Sequence, residues 1–347
     1  ITYTEKGYDV SFKSTLSKDD PEFVKLLKEV FRKAACCVGC KECAADCPNG
    51  CISFKNGVLA ISDACTHCSL CHKVDKGCLV FKSLEISNGG FTMNGATKSL
   101  NTYSHFSPKM KWIKEYFEYK NDFNEKHDLG SQMFNFFKRF LRDSNLLDET
   151  GFSATAYVID RIGYESLIAW GIIFVNLSYT PQVNWVVKKT NFNEQYTREY
   201  LSSLLVEDGA KESWVGDIWS SITRMTELPL ADVGFGSSVK EKSKTVAFVK
   251  TPWTSPEPLV ILYSLYKFAE ACKDYYQFTL SRLLDHDIES DGVSPTQIFG
   301  LDRESMEKIL NGLAINYPDF ISVSFNLDLD NITLRNDKTA ADVLNLL

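Results

Sequence analysis

The sequence lacks any apolar run of the roughly 18 residues that a membrane-spanning helix needs. Its longest candidate, 167–177, is interrupted by Gly171 and fits a buried helix instead. No segment reads as a signal peptide, so no membrane partner is expected. Basic residues are also in deficit. Lys and Arg number 38 against 45 Asp and Glu, a net charge of −7. That balance excludes a broad electrostatic footprint on DNA. One local group, Lys240, Lys242, Lys244 and Lys250, surrounds the apolar run 246–249 and reads as the solvated ends of a strand. Histidines are only five. No Ser-His-Asp set and no metal-binding His-Glu pair stands out at a meaningful spacing, and His105 and His286 read as structural. A self-contained hydrolytic active site is therefore not visible.

Cysteine, by contrast, is abundant, with 11 in the chain, and eight of them fall into a repeated pattern from Cys37 to Cys78. They form two runs, Cys37-x2-Cys40-x2-Cys43-x3-Cys47-Pro48 and Cys65-x2-Cys68-x2-Cys71-x6-Cys78. The first is the bacterial ferredoxin ligand pattern; the second has the same opening and a longer last gap. Soft thiolates at this spacing, on a tight loop, suit cubane iron–sulfur clusters, and two runs imply two [4Fe-4S] clusters. In two-cluster ferredoxins the fourth cysteine of each run crosses to the other cluster. That pattern assigns Cys37, Cys40, Cys43 and Cys78 to cluster one, and Cys65, Cys68, Cys71 and Cys47 to cluster two. Pro48 ends the first loop, while Leu79 stands where a second proline would, so Cys78 departs most from the pattern. Zinc is the rival, but its sites use pairs of cysteines separated by longer spacers. Clustered thiols in disulfides would require an oxidising compartment; free thiols and oxygen-sensitive clusters point to the cytoplasm. Cys36 and Cys51 could be spare ligands, although small buried hydrophobes describe them better, and Cys272 reads as core. His67 and His72 lie inside the second run and read as neighbours of a cluster or as surface.

The expected fold class is α+β and multidomain. Residues 1–33 read as an arm and a helix, with Asp19, Asp20 and Pro21 as its start signals. Residues 34–86 read as a ferredoxin-like two-cluster unit of βαβ type. Asn56-Gly57, between two apolar runs, predicts a hairpin. This unit carries seven basic and five acidic residues from Arg32 to Glu85. Residues 87–257 read as mostly helical, with apolar faces at Met110, Ile113, Phe117 and at Met133, Phe137, Phe140, Leu141. A helix or helix pair is expected over 156–177. Residues 258–347 carry helices over 259–272, 276–284 and 302–317, a short one after Ser294-Pro295, and strands over 320–325 and 332–334. That order is winged-helix-like. From Asp302 onward, eight acidic residues face four basic ones. A DNA-reading helix wants the reverse, so protein interaction or a structural role is favoured over DNA readout.

The stretch from Arg32-Lys33-Ala34-Ala35-Cys36-Cys37 to Cys78-Leu79-Val80-Phe81-Lys82-Ser83-Leu84 resembles the ferredoxin segment that follows the catalytic domain in a group of phosphoadenosine-phosphosulfate-reductase-family proteins. Several of that group belong to bacterial phage-defence islands, including DNA phosphorothioation and BREX systems. Further on, His105-Phe106, Lys111-Trp112-Ile113 and Ile298-Phe299-Gly300-Leu301 resemble a helical region found with the same systems. The family's Ser-Gly-Gly-x-Asp-Ser pyrophosphate loop is missing, and Asn88-Gly89-Gly90-Phe91 does not replace it. The resemblance implies an electron-transfer and interaction module serving a nucleotide-activating or sulfur-handling catalytic domain. Because the sequence begins at Ile1, that domain is expected upstream or on another chain. DNA and other defence proteins are further expected partners. The alternative implied is a DNA- or partner-binding defence protein in which the clusters are structural.

Overall fold

The computed structural model describes residues 2–4, 7–9, 44, 47, 49–55, 58–62, 64–65, 100–286, 290–326 and 329–347. It is an α+β protein, about half helical, with small antiparallel sheets. The chain divides into two compact units, 1–90 and 91–347.

In the first unit, strand β1 (Thr2–Thr4) pairs antiparallel with β2 (Gly7–Asp9), and β3 (Ile52–Lys55) pairs with β4 (Val58–Ile61). Lys55 faces Val58, so the two strands pair as the expected hairpin requires, while Asn56 and Gly57 lie outside the described residues. The helix expected over 23–31 and the strand expected after Cys78 lie outside the described residues.

The second unit opens with three helices, α1 (Met110–Tyr119), α2 (Phe123–Lys126) and α3 (Ser131–Asp143). Their apolar stripes meet: Trp112, Tyr116 and Phe123 all contact the Phe137 ring edge-on. A small hairpin, β5 (Leu147–Asp148) and β6 (Gly151–Phe152), leads into α4 (Ala154–Ile162) and α5 (Leu167–Leu177). The expected segment is thus a pair of helices, split at Gly163 and restarted by the Ser166 hydroxyl, which accepts the Ala169 amide. Helix α5 is buried on nearly every side, as an all-apolar helix must be. Gly171 is there for close approach. A Cβ at that position would stand 2.8 Å from Val260 Cγ1 and 2.9 Å from the Trp253 ring.

The remaining chain repeats one layout twice. In the first copy, α6 (Pro181–Lys189) is followed by β7 (Gln195–Thr197), α7 (Arg198–Glu207), α8 (Glu212–Met225) and the hairpin β8 (Ser237–Glu241) and β9 (Lys244–Val249). In the second, α9 (Pro258–Ala271) is followed by β10 (Gln277–Thr279), α10 (Leu280–Leu284), an added α11 (Pro295–Phe299), α12 (Arg303–Asn316) and the hairpin β11 (Ile321–Asn326) and β12 (Leu329–Leu334). The sheets match in order: β7-β9-β8 and β10-β12-β11. Both leading helices carry proline in their first turn. Both short strands read Gln-aromatic-Thr, and Thr197 and Thr279 each cap the helix that follows. A final helix, α13 (Ala340–Leu344), starts from a Thr339–Asp342 capping box and packs on α9.

Several expectations change here. Within the 87–257 segment, read as mostly helical, lies the three-stranded β7-β9-β8 sheet. The helix expected over 276–284 is strand β10 followed by the short α10. Lys250 is not a solvated strand end but is 1% exposed. Its Nζ donates to the carbonyls of Val187 (2.8 Å), Thr190 (3.2 Å) and Gln297 (3.2 Å) and lies 4.0 Å from the centre of the Phe192 ring. Those carbonyls belong to the C-terminal ends of α6 and α11, which lack further helical partners and carry partial negative charge. One ammonium therefore ties the last strand of the first copy to a helix of each copy. The Trp253 amide adds a bond to the Phe299 carbonyl at 2.8 Å.

Candidate metal centre

Two of the eight predicted ligands, Cys47 and Cys65, lie among the described residues. Cys37, Cys40, Cys43, Cys68, Cys71 and Cys78 lie outside them, as do Cys36, His67 and His72. The β3–β4 hairpin organises what is described. Cys51 precedes β3 and Ser62 follows β4, and the Ser62 amide donates to the Cys51 carbonyl at 2.9 Å. Ile52 faces Ile61 one step further in. Each loop continues from this closed end as a turn: Gly50 donates to the Cys47 carbonyl at 3.1 Å, and Cys65 to the Ser62 carbonyl at 3.1 Å. The hairpin thereby returns the chain so that the last cysteine of the first run and the first cysteine of the second leave from the same end. Both are partly exposed.

The two sulfurs described in the first loop differ in kind. Cys47 Sγ accepts the Cys51 backbone amide at 3.2 Å. That amide first, and then the Asn49 amide, holds the Cys47 thiol below its usual range, because donors favour the thiolate. Cys51 is 3% exposed, and its thiol donates to the Asn49 carbonyl at 3.5 Å. Burial pushes its pKa up, and the neighbouring Cys47 and Cys65 act in the same direction. Cys51 is thus placed as a buried thiol that lends its backbone to Cys47. The donor set at Cys47 fits a metal-bound thiolate, which must be deprotonated and gains from amide hydrogen bonds. Among the described residues, no set of three or more His, Cys, Asp or Glu gathers as a metal site.

The 91–347 unit brings together one group that the sequence did not suggest. Ser104 Oγ lies 3.3 Å from His105 Nδ1 and donates to Asp217 Oδ2 at 3.2 Å. His105 Nδ1 stands 3.8 Å from Asp217 Oδ1. A nucleophilic triad uses opposite ring nitrogens for serine and aspartate. Here both contacts fall on Nδ1, and the group is half exposed, so it does not activate Ser104. It pins the 104–106 segment to α8, with Arg224 donating to the His105 carbonyl at 2.9 Å and Ser221 to the Phe106 carbonyl at 3.0 Å. His286, the other singled-out histidine, pairs with Thr296 at 3.0 Å. Cys272 contacts the Ser290 hydroxyl at 3.2 Å and is partly buried against the core.

Comparison with family models, with curated proteins and with solved structures gives no match for this chain. No helix among the described residues is long and apolar enough to cross a membrane.

Proposed function

We propose that this chain is an iron–sulfur electron-transfer and interaction module. It serves a phosphoadenosine-phosphosulfate-reductase-like activity that handles sulfur or activates nucleotides, in bacterial phage defence or DNA modification. The observation that carries this reading is the pair of cysteine runs, joined by a hairpin whose one end sends out both Cys47 and Cys65. Cys65, Cys68, Cys71 and Cys47 would hold one [4Fe-4S] cluster, and Cys37, Cys40, Cys43 and Cys78 the other. When bound, each cluster stores a single electron. The residues of this chain then set its surroundings: the Cys51 and Asn49 amides favour thiolate at Cys47, and Cys51 itself is buried beside it. The missing pyrophosphate loop leaves nucleotide activation to another domain or chain.

The 34–86 segment reads as ferredoxin-like. Both copies in 181–334 read as winged-helix-like, because each has a helix, short strand, two main helices and a hairpin in that order. Their chemistry favours docking of protein over reading of DNA. In the second copy, Arg303 is spent within the fold: it donates to Ser281 Oγ at 2.8 Å and pairs with Glu307 and Asp330. In the first, the 104–106 segment occupies part of α8. Replacement of Cys40 by Ser tests the electron-transfer reading in the partner's assay. Loss of reductant-dependent partner activity with unchanged helical content supports it. Full partner activity in the variant, despite a lost cluster, would leave the clusters structural and refute it.

A further inference from the structure

The two copies differ at equivalent edge strands, β8 and β11. Edge strands present unpaired amides and carbonyls, and proteins blunt them with charge, bulges or proline. Strand β8 has two such guards. Its register shifts between Val239 and Lys240, and it ends in the charged pair Lys240 and Glu241. Strand β11, Ile321-Ser322-Val323-Ser324-Phe325-Asn326, has no charge, no proline and an unbroken register with β12.

The register also says which groups face out. Arg335 donates to the Phe320 carbonyl at 2.9 Å, so Phe320, Ser322 and Ser324 form the bonded pairs with β12. The amides and carbonyls of Ile321, Val323 and Phe325 therefore point away from the sheet. Ile321 spends its amide on the Tyr317 carbonyl at 3.2 Å. The Val323 and Phe325 amides meet no acceptor among the described residues. Val323 and Phe325 are half-buried, and Ser322 is exposed.

From this edge we infer that β11 pairs antiparallel with β11 of a second copy of this chain, fusing two three-stranded sheets into one. The occupant follows from self-complementarity, which a two-fold interface requires. Centred on Val323, the pairing sets Val323 opposite itself, Ile321 opposite Phe325, and Ser322 opposite Ser324. Each apolar residue meets an apolar one, each serine meets a serine, and no like charges oppose. The free Val323 amides reach each other's carbonyls, and each Phe325 amide reaches an Ile321 carbonyl. The same operation on β8 would be broken by its bulge.

Sedimentation of the anaerobically purified full chain, from about 1 to 100 µM, tests this. The expected result is a concentration-dependent dimer. Val323→Pro removes an outward amide without touching a bond to β12, and edge positions tolerate proline. Ser322→Lys places a charge on the exposed face and leaves the backbone unchanged. Both variants are expected to lose the dimer while keeping the unfolding temperature that the wild type shows at concentrations where it is monomeric. A wild type that stays monomeric, with the edge then left for a strand of another protein, would overturn the inference. So would a dimer that survives Ser322→Lys.

Discussion

Lys250→Met is the perturbation whose outcome the structure specifies most fully. The native ammonium is buried without a carboxylate, and burial lowers its pKa to about 7. Three carbonyls and the Phe192 face pull the other way. A neutral amine offers two N–H groups to three acceptors, so the three bonds oppose the lowering by burial without cancelling it. Methionine fills a similar volume but donates nothing. Three buried carbonyls would then lack a partner, at about 1 kcal/mol each, and the ring contact adds about 1 kcal/mol. Relief from burying a charge returns part of this, so a net loss of about 2 kcal/mol is expected. For a unit of this size that lowers Tm by roughly 4–8 °C. Urea and thermal unfolding followed by circular dichroism would measure it. The pH dependence has a definite sign. The folded pKa lies below the unfolded value of about 10.4, so the unfolded chain binds more protons between the two. Wild-type stability therefore rises from about pH 7 toward pH 10 relative to the variant, and below pH 7 the two run parallel. A variant as stable as the wild type at pH 7, or more so, would refute the view that this ammonium joins the two copies.

Other substitutions have equally direct expectations. Gly171→Val forces side-chain atoms into Val260 and Trp253, and overpacking of this kind costs about 1–3 kcal/mol, read as a lower urea midpoint. Asp302 accepts the Ser305 amide at 2.8 Å as the cap of α12, so Asp302→Ala is expected to cost about 1 kcal/mol. The Ser305 amide also holds the Asp302 carboxyl below its usual range. Its contribution is thus present above about pH 4 and lost as pH falls through the folded pKa, a slope that acid titration of the alanine variant should lack. Cys51→Ala should keep the iron content of the wild type with a modest loss of stability, whereas Cys47→Ser should lose iron. Equal iron loss in both would contradict the distinction drawn between the two sulfurs.

Much of this was legible in the residues. The cysteine spacing alone proposed the ligands, because thiolate loops have so few workable separations. Helices α1 and α3 announced themselves through apolar residues three and four apart. Asn56-Gly57 announced the hairpin. The three-residue strands β7 and β10 did not, since alternation needs more residues and each runs straight into a helix. Their extended form comes from pairing with β9 and β12, far along the chain. The repeated Gln-aromatic-Thr tripeptide, followed each time by a threonine-capped helix, was the one signal that could have revealed the duplication. Lys250 misled because a lysine beside a strand is ordinarily solvated. Only the convergence of two helix ends gives it a buried site. The amide of Cys51 reaching Cys47 is a backbone property, which side-chain patterns do not carry.

The central claim is that eight cysteines hold two [4Fe-4S] clusters. Iron and acid-labile sulfide determined on anaerobically purified protein, with electron paramagnetic resonance after dithionite reduction, test it most directly. The account predicts about eight iron and eight sulfide per chain, by the stoichiometry of two such clusters, and a signal from reduced, interacting clusters. Zinc in place of iron, with no sulfide and no signal on reduction, would contradict it.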